Sequence, residues 1–175
     1  MKKKNNKKID EILRVNHAGE FGAQVIYKSQ IKFSKDDNLK KELKKISDEE
    51  MVHFKYFDGE IIKNRTRPTV MQPIWRVGGY VLGAVSSILG EKYVHACTEA
   101  VESTIVDHYN KQIEFLKKEK INNDLRLKIQ KFCEEENSHK ENSTNKIDST
   151  DKRLMVFKGL TKIVTKAAIK ISKQI

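Results

Sequence analysis

Proline and glycine are scarce, with two and eight in 175 residues, and long stretches carry neither. That excludes collagen-like repeats and Pro-rich linkers, and it disfavours a turn-dense β sandwich. Cysteine is nearly absent too. Cys97 and Cys133 form no C-x-x-C pair and no disulfide framework, so both read as reduced thiols in a reducing compartment. A secretory signal is missing: the basic start MKKKNNKK runs into Ile9-Asp10-Glu11, where an apolar stretch should follow. There is no RNP-like aromatic motif, zinc-finger spacing or convincing helix-turn-helix, so the net charge of +11 is not expected to serve nucleic acid. An anionic membrane surface or a solvated lysine-rich face remains.

What the chain does contain is helical periodicity. Residues 1–8 read as a basic flexible start, and 9–175 as one domain. Apolar positions recur at helical spacing over 9–33, and again from Leu39 to about Ile62 after the polar break Lys35–Asn38. Both prolines fall in the connector 65–73. The apolar, glycine-rich segment 74–90 follows, then expected helices over 91–118, 125–147 and 151–172. No strand-like alternation persists, and the expected class is all-α.

Two Glu-x-x-His units stand out, Glu50–His53 and Glu136–His139. Residues three apart share a helix face, so each unit can offer an oxygen and a nitrogen to one metal site. Hairpin geometry adds a second test, because residues equidistant from a turn lie level on an antiparallel helix pair. Glu20 and Glu50 have their midpoint at 35, and Glu102 and Glu136 at 119, each within a polar break. Both single glutamates sit among small apolar neighbours, Ala18 to Ala23 and Ala100-Val101. There a carboxylate facing the interior is costly unless paired, and metal is the natural partner.

The set is four glutamates and two histidines, the ligand set of ferritin-like di-iron carboxylate bundles. Four carboxylates balance two Fe²⁺, and the mixed oxygen and imidazole donors suit iron or manganese, whereas the lack of thiolates disfavours structural zinc. The expected architecture is therefore a ferritin-like four-helix bundle with two additional helices, an apolar connector helix and a C-terminal amphipathic one.

The opening Arg14-Val15-Asn16-His17-Ala18-Gly19-Glu20-Phe21-Gly22-Ala23 resembles that of the demethoxyubiquinone hydroxylase family. Ile26-Tyr27 and Gln30 follow at the family's places. Arg67-Pro68-Thr69-Val70 and Pro73-Ile74-Trp75 are similar to its connector. Ala96 to Glu102, with His108-Tyr109-Asn110 and Gln112, resembles its second metal-bearing helix. The likeness runs from about residue 9 to the C-terminus. It implies a di-iron monooxygenase that hydroxylates the ring of a polyprenyl methoxy-benzoquinol with O₂ in ubiquinone biosynthesis. The implied ligands of two iron ions are Glu20, Glu50, His53, Glu102, Glu136 and His139, with electrons from NADH or a reductase. A ubiquinone-biosynthesis complex is a further implied partner. The short Lys-rich start looks bacterial, which places the expected protein peripherally on the cytoplasmic face of an inner membrane.

Other residues carry two readings each. Glu49 and Glu135 precede the Glu-x-x-His units; either they accept the N–H of a metal-bound imidazole or they are solvated, as on most Glu-rich helices. His108 and Tyr109 contact or gate the quinol, or else make ordinary buried hydrogen bonds. His17 and His95 lack a paired carboxylate and are not expected to be ligands.

A polyprenyl tail needs an apolar route. Segment 74–90 is too short and too polar, with Arg76 and two serines, to span a bilayer; it lines the tail's entrance, dips into one leaflet, or is a core helix. In the last helix Lys158, Lys162, Lys166 and Lys170 form one flank, opposite an apolar arc including Leu160, Ile163, Val164, Ile171 and Ile175. Such a helix packs on its own bundle or lies in an anionic interface, and a lipid substrate favours the interface. Two rivals share some of these features: another ferritin-like protein (peroxidase, iron storage or manganese catalase), and a non-enzymatic basic membrane adaptor.

Overall fold

Among the described residues six helices carry the fold: α1 Lys2–Phe33, α2 Asp37–Asn64, α3 Gln72–Leu89, α4 Glu91–Glu119, α5 Asn123–Thr144 and α6 Lys152–Ser172. This computed structural model describes residues 2–174, with side chains from Asn6 onward. Met1, the side chains of the first five residues and Ile175 of the terminal apolar arc lie outside the described residues. Among the described residues there is no strand. Four long helices with an apolar connector helix and a C-terminal amphipathic helix are the inventory of a ferritin-like bundle with two additions. α1 starts earlier than the periodicity implies, because the basic start holds neither proline nor glycine to stop it.

The boundaries have local causes. Asp36 caps α2, its carboxylate accepting from the backbone N–H of Asn38 at 2.7 Å and Leu39 at 2.9 Å. Those bonds, Leu39 foremost, hold the Asp36 carboxyl below the usual range. At the other end Arg65 adopts the left-handed conformation, φ 52°, and its N–H returns to the Ile61 and Ile62 carbonyls. Pro73 sits in the first turn of α3, where its missing N–H costs nothing. Gly90, at φ 109°, separates α3 from α4.

The chain divides into two compact units, one of residues 1–94 with 166–175, the other of residues 95–165. In the first unit α1 packs against both α2 and α3, and Ala23, Tyr27, Leu39, Leu43, Ile46 and Val94 form a core cluster. α3 meets α1 by small and polar residues. A Cβ on Gly83 would stand 2.4 Å from the Ile26 carbonyl oxygen, so only glycine permits this approach. Ser29 Oγ donates to the Tyr80 carbonyl at 2.7 Å, and Ser87 Oγ to that of Gln30 at 2.9 Å. The apolar side of α3 faces outward instead, with Ile74, Val77, Val81, Val85 and Ile88 between 42% and 70% exposed. This reverses the usual amphipathic arrangement. The C-terminal end is tied down by Trp75 Nε1, which donates to Ser172 Oγ at 3.0 Å, and by Arg14, which donates to the Lys173 and Arg67 carbonyls.

In the second unit Asn122 caps α5 by accepting from the Leu125 N–H at 3.2 Å. Cys133 of α5 lies 3.9 Å from the Val106 carbonyl oxygen and 3.7 Å from Asn110 Oδ1 on α4. Within this unit α6 is turned as α3 is. Leu154 and Thr161 are buried, and Lys158 and Lys162 reach the mostly buried Glu99 of α4 at 3.0 Å and 3.3 Å. Two of the four flank lysines are thus committed to the protein. Met155, Val156, Leu160, Ile163 and Val164 face solvent.

Candidate metal centre

Glu20 projects from the middle of α1, and Glu50 and His53 from one face of α2 three residues apart. All three are at most 1% exposed. His53 Nδ1 lies 3.6 Å from Glu50 Oε2 and 3.8 Å from Glu20 Oε2. One ligand atom from each residue falls within 4.8 Å of the others, a spacing that a shared cation can bridge. The second unit repeats the pattern. Glu136 and His139 share a face of α5 with 3.8 Å between Oε2 and Nδ1, and Glu102 is fully buried on α4. All six expected ligands are therefore interior, and within each unit the Glu-x-x-His spacing brings oxygen and nitrogen together.

The donor set, carboxylate oxygens with imidazole nitrogens, fits a divalent metal. Several carboxylates in a dry interior destabilise the fold while each carries its charge uncompensated, and a divalent cation offsets that cost. Burial first, and then the Glu136 carboxylate, push the Cys133 thiol up.

The other sequence candidates are placed as follows. Glu49 and Glu135 are half-exposed, 4.0 Å from Lys45 and 3.6 Å from Lys131. His108 is half-buried, its Nε2 2.8 Å from the Gln112 amide nitrogen, and Tyr109 is buried. His17 is buried with Nε2 3.3 Å from Asp58 Oδ1, and its ring lies 5.1 Å from that of Phe54. Burial lowers the His17 pKa, against the raising pull of Asp58.

Two contacts went unseen in the sequence: Gln24, which donates to the Ser47 carbonyl at 2.7 Å, and the Glu99–Lys158–Lys162 group. The signal for the first was present, since 24 and 47 are nearly equidistant from the α1–α2 turn.

Comparison with known proteins decides the family. The model of the ubiquinone biosynthesis protein COQ7 family matches residues 7–172. The chain belongs to the COQ7 family. A curated COQ7 relative, the mitochondrial NADPH-dependent 3-demethoxyubiquinone 3-hydroxylase of Rattus norvegicus, is 35% identical over 172 residues, covering 97% of this chain and 79% of the relative. The Homo sapiens protein of the same name is 36% identical over 170 residues, 95% and 78% of the two chains. The 3-demethoxyubiquinol 3-hydroxylase of Rhodospirillum rubrum is 34% identical over 169 residues, again 95% and 78%. The resemblance drawn from the Arg14–Ala23 motif is thereby shown, and with it a hydroxylating enzyme of ubiquinone biosynthesis.

Proposed function

We propose that this COQ7 member hydroxylates the ring of a polyprenyl demethoxyubiquinol with O₂, at a centre of two iron ions held by Glu20, Glu50, His53, Glu102, Glu136 and His139. The observation that carries the metal assignment is the buried Glu20–Glu50–His53 cluster, echoed by Glu136–His139. Bound iron would supply the O₂-reducing chemistry. The chain's own residues hold the charge balance, with four carboxylates facing two dications and neutral imidazoles completing the set. Their burial excludes bulk water, which strengthens each electrostatic contact and protects reactive species from hydrolysis. Tyr109 and His108, on α4 beyond Glu102, are candidates for orienting the ring. A nicotinamide donor is the electron source, in keeping with the names of the mitochondrial relatives.

The quinol arrives from a membrane, and attachment is peripheral. Among the described residues no helix is long and apolar enough to cross a membrane. Support for a surface mode comes from α3 and α6, each of which exposes apolar side chains and contains no Asp or Glu. An exposed apolar helix face lacking carboxylates suits the headgroup–acyl boundary of a bilayer. With the Rhodospirillum relative in view, we place the protein on the cytoplasmic face of a bacterial inner membrane, within reach of other enzymes of ubiquinone biosynthesis.

Metal content tests the central part. Anaerobic loading with Fe²⁺ and gel filtration should leave about two irons per chain, falling to one or none in Glu20→Ala and Glu136→Ala. Retention of full iron by both variants would sink the assignment.

A further inference from the structure

We propose that His17 and Gln24 are positioning residues that set the register of α1 against α2 at the Glu20–Glu50–His53 cluster; this rests on the metal-centre reading above. Side-chain hydrogen bonds cross between these helices, as ties, on either side of Glu20. His17, one turn before Glu20, is bonded through Nε2 to Asp58 Oδ1 at 3.3 Å. Gln24, one turn after it, donates from Nε2 to the Ser47 carbonyl at 2.7 Å. On α2 the order is reversed, as an antiparallel pair requires: Ser47 comes before Glu50, and Asp58 after His53. The three cluster residues therefore lie between the ties on both helices.

Register matters here because of scale. Each residue advances a helix by about 1.5 Å. A slip of one residue would carry Glu20 past His53 by several times the roughly 0.2 Å tolerance of metal–ligand distances. Apolar packing between helices resists separation but tolerates small repacking. A hydrogen bond is directional and fixes the level.

The chemistry of the ties argues that register, more than stability, is what they provide. His17 and Gln24 are both buried, and among the described residues each is satisfied at only one end: His17 Nδ1 and Gln24 Oε1 have no hydrogen-bond partner there. Half-satisfied polar groups are a costly way to join two helices, and an apolar pair of similar size would hold them at less expense. The ring contacts agree with a positioning role. His17 leans on Phe54, which follows His53, and Phe54 lies 6.4 Å from Phe21, which follows Glu20.

The test uses Co²⁺ as a probe, titrated anaerobically into the apo-protein while its visible d–d bands are followed. Asp58→Ala removes one tie from the half-exposed side, where the fold should tolerate it, and Gln24→Met removes the other at similar volume. Each should weaken Co²⁺ binding about tenfold and shift the bands, as loss of an outer support for metal ligands does. Asp58→Asn, which keeps the acceptor oxygen, should bind within about twofold of the parent. Unchanged affinity and bands in Asp58→Ala and Gln24→Met, with only a lower melting temperature, would reduce the ties to struts and overturn the proposal. So would an Asp58→Asn protein that behaves like Asp58→Ala, since charge would then be the operative property. If the parent binds no Co²⁺, or Glu20→Ala binds it as well as the parent, the metal-centre reading itself fails and takes this proposal with it.

Discussion

Glu20 Oε2 of α1 stands 3.8 Å from His53 Nδ1 of α2, and both residues are almost completely buried. An acid and an imidazole from different helices meet where apolar packing would otherwise be expected. On the metal-centre reading proposed above, the arrangement serves a ligand at the expense of the apo-protein's stability. Replacing Glu20 by Leu or Glu50 by Gln should therefore cut iron binding to one ion per chain or none and yet raise apo-protein stability, by about 1–3 kcal/mol. Urea unfolding of metal-free protein checks this. A large loss of apo stability in both variants would mean that the carboxylates hold the fold directly.

The α1–α3 seam makes a sharper steric claim. A Cβ at Gly83 would meet the Ile26 carbonyl oxygen at 2.4 Å and Ser29 Cβ at 2.8 Å, whereas one at Gly78 would meet nothing within 4 Å. Gly83→Ala should cost about 1–3 kcal/mol through displacement of α3. Gly78→Ala should be neutral or stabilising by up to about 1 kcal/mol, through helix propensity alone. Thermal melts of the two variants side by side decide it, and equal melting temperatures would contradict the close approach.

Glu99 holds α6 from within its own unit by accepting both Lys158 and Lys162. The lysines are partly exposed, so screening trims the pair energies, but loss of the carboxylate leaves two cations beside a buried position. Glu99→Ala should destabilise the protein by about 1–3 kcal/mol. Amide exchange along α6 should accelerate before that of α5. Unaltered exchange in α6 would contradict the latch.

Acid sensitivity follows from His17. Burial keeps its folded-state pKa below the ordinary value of 6.5, so around that pH the unfolded chain takes up the proton more readily. This contribution to stability is complete above the unfolded value and is lost as pH falls from there through the lowered folded value. Asp58 opposes the lowering, so Asp58→Asn should deepen the loss. Urea midpoints between pH 7.5 and 5 measure it. A variant less acid-sensitive than the parent would reverse the sign.

Membrane attachment through the outward faces is open to a direct trial. Val77 on α3 and Ile163 on α6 are about two-thirds exposed, so aspartate at either should leave the melting temperature nearly unchanged. Flotation with phosphatidylcholine–phosphatidylglycerol vesicles should drop several-fold for each variant, since a charge must then enter the headgroup–acyl boundary. Undiminished flotation of both would exclude these faces as the attachment.

Much of this was legible beforehand, for physical reasons. Helix periodicity and the polar breaks locate six helices, because caps such as Asp36 and Asn122 are local and punctuate the chain. The Glu-x-x-His spacing and the hairpin midpoint place Glu20 against Glu50 and His53, because antiparallel geometry converts sequence distance into level. The orientation of α3 and α6 was not legible. Periodicity shows that a helix has two faces but does not say which one packs, and here Gly83 and the Glu99 carboxylate select the polar side. Gln24 was only half legible: its near-equidistance with Ser47 from the α1–α2 turn sets them level, but a lone glutamine on a helix does not say which carbonyl its amide meets.

The most direct measurement follows oxygen into product. Protein loaded anaerobically with Fe²⁺ is given a short-tailed demethoxyubiquinol, a nicotinamide reductant and ¹⁸O₂, and the quinol is examined by mass spectrometry. One ¹⁸O atom in a hydroxylated ring, absent when Glu102→Ala replaces the parent, is the expected result. Iron-loaded protein that consumes O₂ while the ring stays unlabelled would contradict the hydroxylase reading of this centre.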